Sequence, residues 1–203
     1  MSVLPAAVRA ADSVLVTGPP MSGKYDLFHR LLHEWASSPI VLSTGRTAEK
    51  VRADHERITG ADDDRVVVID CMTSEREVST DGDAATRYVA SPGNLTDLGV
   101  QFTDLVEDLD AADSHAVGVD SLSQLLMYSD PERVHRFTRV LATEAANAGW
   151  PFVATLGSTM HDEEVRHALH EAFDALVETR VEDGDRQFRV RDRVDGPTDW
   201  TTF

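Results

Sequence analysis

The sequence predicts an α/β fold: a mostly parallel central sheet flanked by helices, with a C-terminal antiparallel hairpin. Three observations carry this prediction. Short, continuously apolar runs recur along the chain, as strands covered on both faces require. Amphipathic stretches of helical length separate them, the pattern of an open parallel sheet. After Asp162 the alternation stops, and two strand-like runs flank the turn "EDGD".

Taken in order, "SVLVT" (Ser13 to Thr17) is the first strand, followed by a Gly- and Pro-rich loop and a helix from Lys24 to Trp35. "IVLST" (Ile40 to Thr44) precedes a helix from Thr47 to Arg57, and "VVVID" (Val66 to Asp70) follows. The polar, acidic stretches Gly60 to Arg65 and Ser74 to Thr86 read as loops, with Thr80 to Ala84 a solvated one. A helix from Leu95 to Leu109 leads to "AVGVD" (Ala116 to Asp120). Pro131 suits the first turn of a helix reaching Ala148, with Asp130 as its cap and Gly149 as its stop. "FVATL" (Phe152 to Leu156) is the fifth strand, and a helix from Asp162 to Phe173 leads to the hairpin in "ALVETRVEDGDRQFRVRDRV". The stripe Leu122, Leu125 and Leu126 reads as core. We expect one domain over residues 13–193, after a segment 1–12 and before a tail or docking segment at 194–203.

The net charge is −17, with 36 acidic residues against 19 basic, and Lys24 and Lys50 are the only lysines. The carboxylates are spread along the chain. This reads as adaptation to high salt, where dense surface charge maintains solubility, more than as an acidic face for one partner. The same charge opposes nucleic-acid binding, which depends on neutralising phosphates. A single cysteine, Cys71, excludes an internal disulfide and points to a reducing interior. No apolar run reaches membrane-spanning length and the N-terminus lacks a signal-peptide pattern, so the expected location is the cytoplasm.

The stretch that carries chemistry is Gly18-Pro19-Pro20-Met21-Ser22-Gly23-Lys24, a Gly-x-x-x-x-Gly-Lys loop between a strand and a helix. In such a loop the backbone N–H groups and the helix dipole face a phosphate, Gly23 permits close approach, and Lys24 reaches the terminal phosphates. The alternative is a plain Gly-Pro turn. Pro19, Met21 and Tyr25 complete the candidate nucleotide-binding set. A second acidic strand ends at Asp120, whose carboxylate is a candidate to hold magnesium through water, or else caps the next helix.

The order of the loop, "SPGNLTDLGVQFTDLVEDL" and "VGVDSLSQLLMY" resembles the RecA/KaiC superfamily of P-loop ATPases, in particular single-domain KaiC-like proteins of archaea. The composition fits a haloarchaeal branch. The resemblance implies a RecA core, ATP and magnesium as cofactors, and assembly with nucleotide at subunit interfaces. It also implies a basic finger near the hairpin that reaches a neighbour's phosphate, for which Arg193 and Arg191 are the candidates. The alternative is an exposed hairpin face with alternating arginines.

Two departures bear on activity. The serine or threonine that should follow the lysine is Tyr25. The carboxylate that should follow "IVLST" to orient water is replaced by Gly45 and Arg46, with none before Glu49. A general base must reach the water by a hydrogen bond, and an arginine cannot serve. The sequence therefore reads as an ATP-binding regulator or scaffold with little hydrolysis and no assigned catalytic residue. The alternatives are an interaction module that no longer binds nucleotide, or a slow ATPase using Glu49 or a neighbour's residue. The protein partner is not named by the sequence.

His29 and His33, and His161, His167 and His170, have spacings that can ligate zinc, but the accompanying ligands are missing, and half-exposed helix positions are the expected account. Ser158 and Thr159, and Ser43, Thr44 and Gly45, end strands at the edge where ligands bind.

Overall fold

Residues with no polar alternation pair side by side because both faces of each strand are covered. A computed structural model describes residues 8, 10–73, 85–109, 113–192 and 196–203. The strands are β1 (Ser13–Gly18), β2 (Ile40–Ser43), β3 (Val67–Asp70), β4 (Thr86–Tyr88), β5 (Val117–Asp120) and β6 (Phe152–Gly157). They continue with β7 (Ala175–Glu182), β8 (Asp185–Asp192), β9 (Gly196–Pro197) and β10 (Thr201–Thr202). Among the described residues they form one sheet in the order β10-β8-β7-β1-β6-β5-β2-β3-β4, with β9 also on β8. Every pair from β7 to β4 is parallel, whereas β8 pairs antiparallel with β7, β9 and β10. The expected α/β class with a C-terminal antiparallel hairpin is what forms. Asp183 and Gly184 both take positive φ, 54° and 89°, the backbone a two-residue hairpin turn needs.

The helices are α1 (Lys24–Trp35), α2 (Ala48–Thr59), α3 (Leu95–Asp108), α4 (Leu122–Tyr128), α5 (Pro131–Asn147) and α6 (Glu163–His170). Alternate residues of each strand face opposite layers. Val14, Val16, Val41, Val68 and Val177 pack with Leu27, Phe28, Leu31 and Leu32 of α1 and Val51 of α2. Leu15, Leu42, Ile69 and Val119 face Phe102 of α3, Leu122 of α4, Leu141 of α5 and Leu169 of α6. No helix among the described residues is long and apolar enough to cross a membrane.

Several local expectations are corrected. Thr86 belongs to a strand rather than a loop, because β3 offers it an open edge. Asp120 does not cap the following helix; Ser121 Oγ accepts from the Gln124 N–H at 3.4 Å instead. Pro131 does open α5, but the exposed Asp130 carboxylate makes no capping hydrogen bond. No correction falls on the segment read as a tail or docking segment, whose residues 201–202 pair with β8. The stretch 80–84 lies outside the described residues.

Candidate functional site

Parallel pairing brings the carboxyl ends of β1, β2, β5 and β6 to one edge, with Gly18 opposite Gly157 and Ser43 opposite Asp120. This is the edge at which open α/β sheets bind ligands. Gly18 passes so close to β7 that a Cβ there would lie 2.1 Å from Thr179 Oγ1, so no larger residue fits without movement. Ser22 Oγ donates to the Pro19 carbonyl at 2.8 Å and shares a hydrogen bond with Thr179 Oγ1 at 2.6 Å. Its hydroxyl is thus committed to holding the loop. Met21 has φ 64° and projects into solvent, and Gly23, at φ 84°, holds the N-cap position of α1. Lys24 opens the helix, and its Nζ donates to the Pro19 carbonyl at 3.1 Å. Burial lowers its pKa, opposed by Asp120 and reinforced by Arg46.

The second part of the site is a cluster that the sequence alone does not reveal. Arg46, just beyond β2, donates from Nη1 to Asp120 Oδ2 at 2.5 Å. Asp120 Oδ1 accepts from Thr155 Oγ1 at 2.6 Å, so both carboxylate oxygens are engaged. Burial pushes the Asp120 carboxyl up, while Arg46, Thr155 and Lys24 pull it down. The Arg46 guanidinium lies over the Tyr25 ring, 3.8 Å from its centre. That ring runs along α1, edge-on to His29 at 4.5 Å and stacked on Phe28 at 6.3 Å. Its hydroxyl is buried near Asp54 but makes no well-formed hydrogen bond among the described residues, and burial raises its pKa.

Between these parts lies a cleft of about 560 Å³, lined among others by Gly23, Lys24, Tyr25, Arg46, Asp120 and Arg186. Its two carboxylates are both paired, Asp120 with Arg46 and Asp26 with Arg186. Glu49 is exposed on the first turn of α2 and does not line the cleft. A Cβ at Gly23 would meet Phe203 Cζ and Arg186 Cδ, each at 2.8 Å, so the hairpin and C-terminus lean on the loop. Arg186 was not singled out by sequence. The available signal was its place beside the hairpin turn, on the strand next to β7.

Ser158 N–H donates to the Gly18 carbonyl at 3.0 Å and fastens the loop to β6. Ser43 Oγ donates to the Arg46 carbonyl at 2.7 Å, and Thr44 Oγ1 exchanges hydrogen bonds with Ser121, so these two fix turns while Gly45 lines the cleft. Arg191 lies away from the loop, 3.6 Å from Glu178 and in a separate cleft with His167 and His170. Arg193 lies outside the described residues. His29 is not half-exposed: it is fully buried, with Nδ1 3.0 Å from Nδ1 of His55 on α2. The apolar stripe of α1 carries it inward beside Phe28 and Leu32. Among the described residues, no group of three or more His, Cys, Asp or Glu side chains could hold a metal ion.

The resemblance implies magnesium at Asp120 and the residue after Lys24. The donors do not fit. Magnesium takes several oxygens in a near-octahedral shell. Here the Arg46 guanidinium occupies Asp120 Oδ2, Thr155 Oγ1 occupies Oδ1, and Tyr25 places an aromatic face under Arg46 where the hydroxyl ligand would be required. The cation beside Asp120 and the lost hydroxyl are what disfavour the ion, directly or through water.

A model of a family described as of unknown function, DUF7504, matches residues 11–179. No curated protein matches the sequence. Among solved structures, the flagellar accessory protein FlaH from Methanocaldococcus jannaschii is similar, with a TM-score of 0.56 and 14% identity over 89% of this chain and 77% of that one. At that identity the likeness speaks for the fold alone, which is the RecA-like arrangement.

Proposed function

The chain belongs to the DUF7504 family over the span that carries the loop, Arg46 and Asp120, and on that premise we propose that it is an ATP-binding regulator or scaffold with little or no hydrolysis. The observation that carries this reading is the cleft itself. Lys24, Arg46 and Arg186 line it, and among the described residues its carboxylates, Asp120 and Asp26, are each held by an arginine. Cations and a helix N-terminus favour a phosphate chain. Among the described residues no carboxylate lining the cleft is without an arginine partner, which leaves none to activate water. Gly18, Pro19, Met21, Ser22, Gly23 and Lys24 form the phosphate cradle, with Tyr25 behind it. The nucleotide acts by differential affinity for two states of the protein, which is all a switch requires. A second copy or another protein then reads the state, and the acidic composition fits a haloarchaeal cytoplasm.

The test is thermal unfolding in molar potassium chloride with and without ATP. Ligand at a hundred times its dissociation constant adds about 2.7 kcal/mol, a rise of roughly 2–4 °C per kcal/mol for a chain of this length. Lys24→Ala should abolish the rise while leaving the fold intact, and phosphate release should stay at background. A well-folded protein with no rise would sink the proposal.

One observation favours a second reading, an interaction module without nucleotide. The loop is tied to itself and its neighbours by Lys24 and Ser22 on Pro19, by Ser22 on Thr179 and by Phe203 against Gly23. In that case Lys24→Ala keeps partner binding, and ATP changes nothing.

A further inference from the structure

The two departures from the P-loop pattern touch each other. Tyr25 stands where a metal-binding hydroxyl is expected, and Arg46 stands beyond β2 where a carboxylate is expected; the guanidinium lies on the ring at 3.8 Å. Neither substitution is explained by itself. A tyrosine alone would remove a metal ligand, and an arginine alone would remove a base. Together they place a fixed positive charge against Asp120, the carboxylate that a divalent ion would otherwise approach.

We propose that the Arg46 guanidinium takes the place of the divalent cation, so that the site binds nucleoside triphosphate free of magnesium. This rests on the nucleotide-binding reading above. Arg46 is held from two sides, by the Tyr25 face and by Asp120 Oδ2 at 2.5 Å, while its remaining N–H groups meet no acceptor among the described residues and the side chain lines the cleft. A guanidinium carries five N–H donors in a planar fork that matches phosphate oxygens, so one donor on Asp120 leaves the others for an anion. Lys24 lines the same cleft and feels the Arg46 charge. Two cations stand against one buried carboxylate here, a locally positive site in a chain of net charge −17. A triphosphate without magnesium keeps the charge that such a site can neutralise. A magnesium complex would bring a further cation against Arg46, which already neutralises Asp120, and would find no hydroxyl ligand at Tyr25.

The experiment is calorimetric titration of ATP into the full chain in molar potassium chloride, once with excess EDTA and once with excess magnesium chloride. The expected result is binding in EDTA at least as tight as in magnesium. Binding that is tighter by tenfold or more in magnesium overturns the inference and leaves the nucleotide-binding reading standing. Binding in neither condition defeats both. Arg46→Ala should weaken binding in EDTA by about 10- to 100-fold, the range for hydrogen bonds to charged groups. Unchanged affinity of the folded variant would overturn the assignment. Should that variant leave Asp120 unpaired and fail to fold, the comparison on the unaltered protein still decides, and Arg46→Lys, which keeps the charge but loses the fork, gives a folded variant expected to bind ATP in EDTA about tenfold more weakly.

Discussion

Tyr25 separates what a residue's identity says from what its neighbours make of it. In the sequence it is a missing hydroxyl ligand; in the fold it is a platform, with Arg46 on one face and Phe28 and His29 beside it. The motif from Gly18 to Lys24 was legible because its residues are consecutive and sit between a strand and a helix. The Arg46–Asp120 pair was not, because it joins positions 74 residues apart and depends on β2 lying next to β5. If the ring is what matters, the hydroxyl is dispensable. It is buried near Asp54 with no well-formed hydrogen bond among the described residues, and a buried group left unsatisfied costs about 1–3 kcal/mol relative to one left in water. Tyr25→Phe should therefore hold or raise stability by about 1 kcal/mol and leave ATP affinity in EDTA unchanged. Tyr25→Ser should weaken that affinity, since Arg46 loses its seat. Chemical denaturation and calorimetry on the two variants check both statements, and a serine variant that binds better without metal would contradict the platform role.

At the scale of elements, α1 and α2 share an apolar cluster and also meet through a histidine pair. His29 and His55 are buried between them, with His33, Asp54 and Arg57 nearby. Burial, then the other histidine, lowers His29 to about 3; burial, then His33, lowers His55 to about 4. In the unfolded chain both return to the ordinary value of 6.5. Above that value neither state is protonated and the contact has its full stability. As pH falls below it, the unfolded chain takes up protons that the folded one refuses, so stability is lost between about pH 7 and pH 4 for His55 and down to about pH 3 for His29. The loss is roughly 2 kcal/mol per histidine at pH 5. Denaturation midpoints at pH 8 and pH 5 should show it, and a double variant, His29→Phe with His55→Leu, should flatten the dependence over this range. An unaltered slope in that variant would place the effect elsewhere. The elements that periodicity revealed were the long ones: five buried strands, five helices and the hairpin. It gave α4 no bounds, only a helix after Asp120 and the core stripe Leu122, Leu125 and Leu126, and it missed β4, whose three residues owe their state to the edge of β3. His29 was misplaced because a polar residue on a helix is expected outside unless its partner, here on another helix, is known.

For the molecule as a whole, the fold class was readable and the strand order was not, since neighbours such as β1 and β7 are brought together only by the folded topology. Net charge acts at this scale too. With 36 acidic and 19 basic residues, the folded chain repels itself, and the repulsion is greatest when compact. Salt also weakens attractions. The pairs Lys50–Asp54, Arg87–Asp108 and Arg180–Glu182 each have a partner at least half exposed in its side chain. Exposed pairs contribute about 0–1 kcal/mol each, so their loss is small beside relief of a −17 imbalance. Screening length falls from about 10 Å at 0.1 M to about 3 Å at 1 M, which removes most repulsion between neighbouring surface carboxylates. The unfolding temperature should therefore climb by several degrees between 0.1 M and 1 M potassium chloride, at roughly 2–4 °C per kcal/mol. An equal molar concentration of a neutral osmolyte should not reproduce the rise if charge is its cause. A flat response to salt would mean that the arginine pairs already balance the surface locally, and the acidic excess would then need a basic partner to explain it.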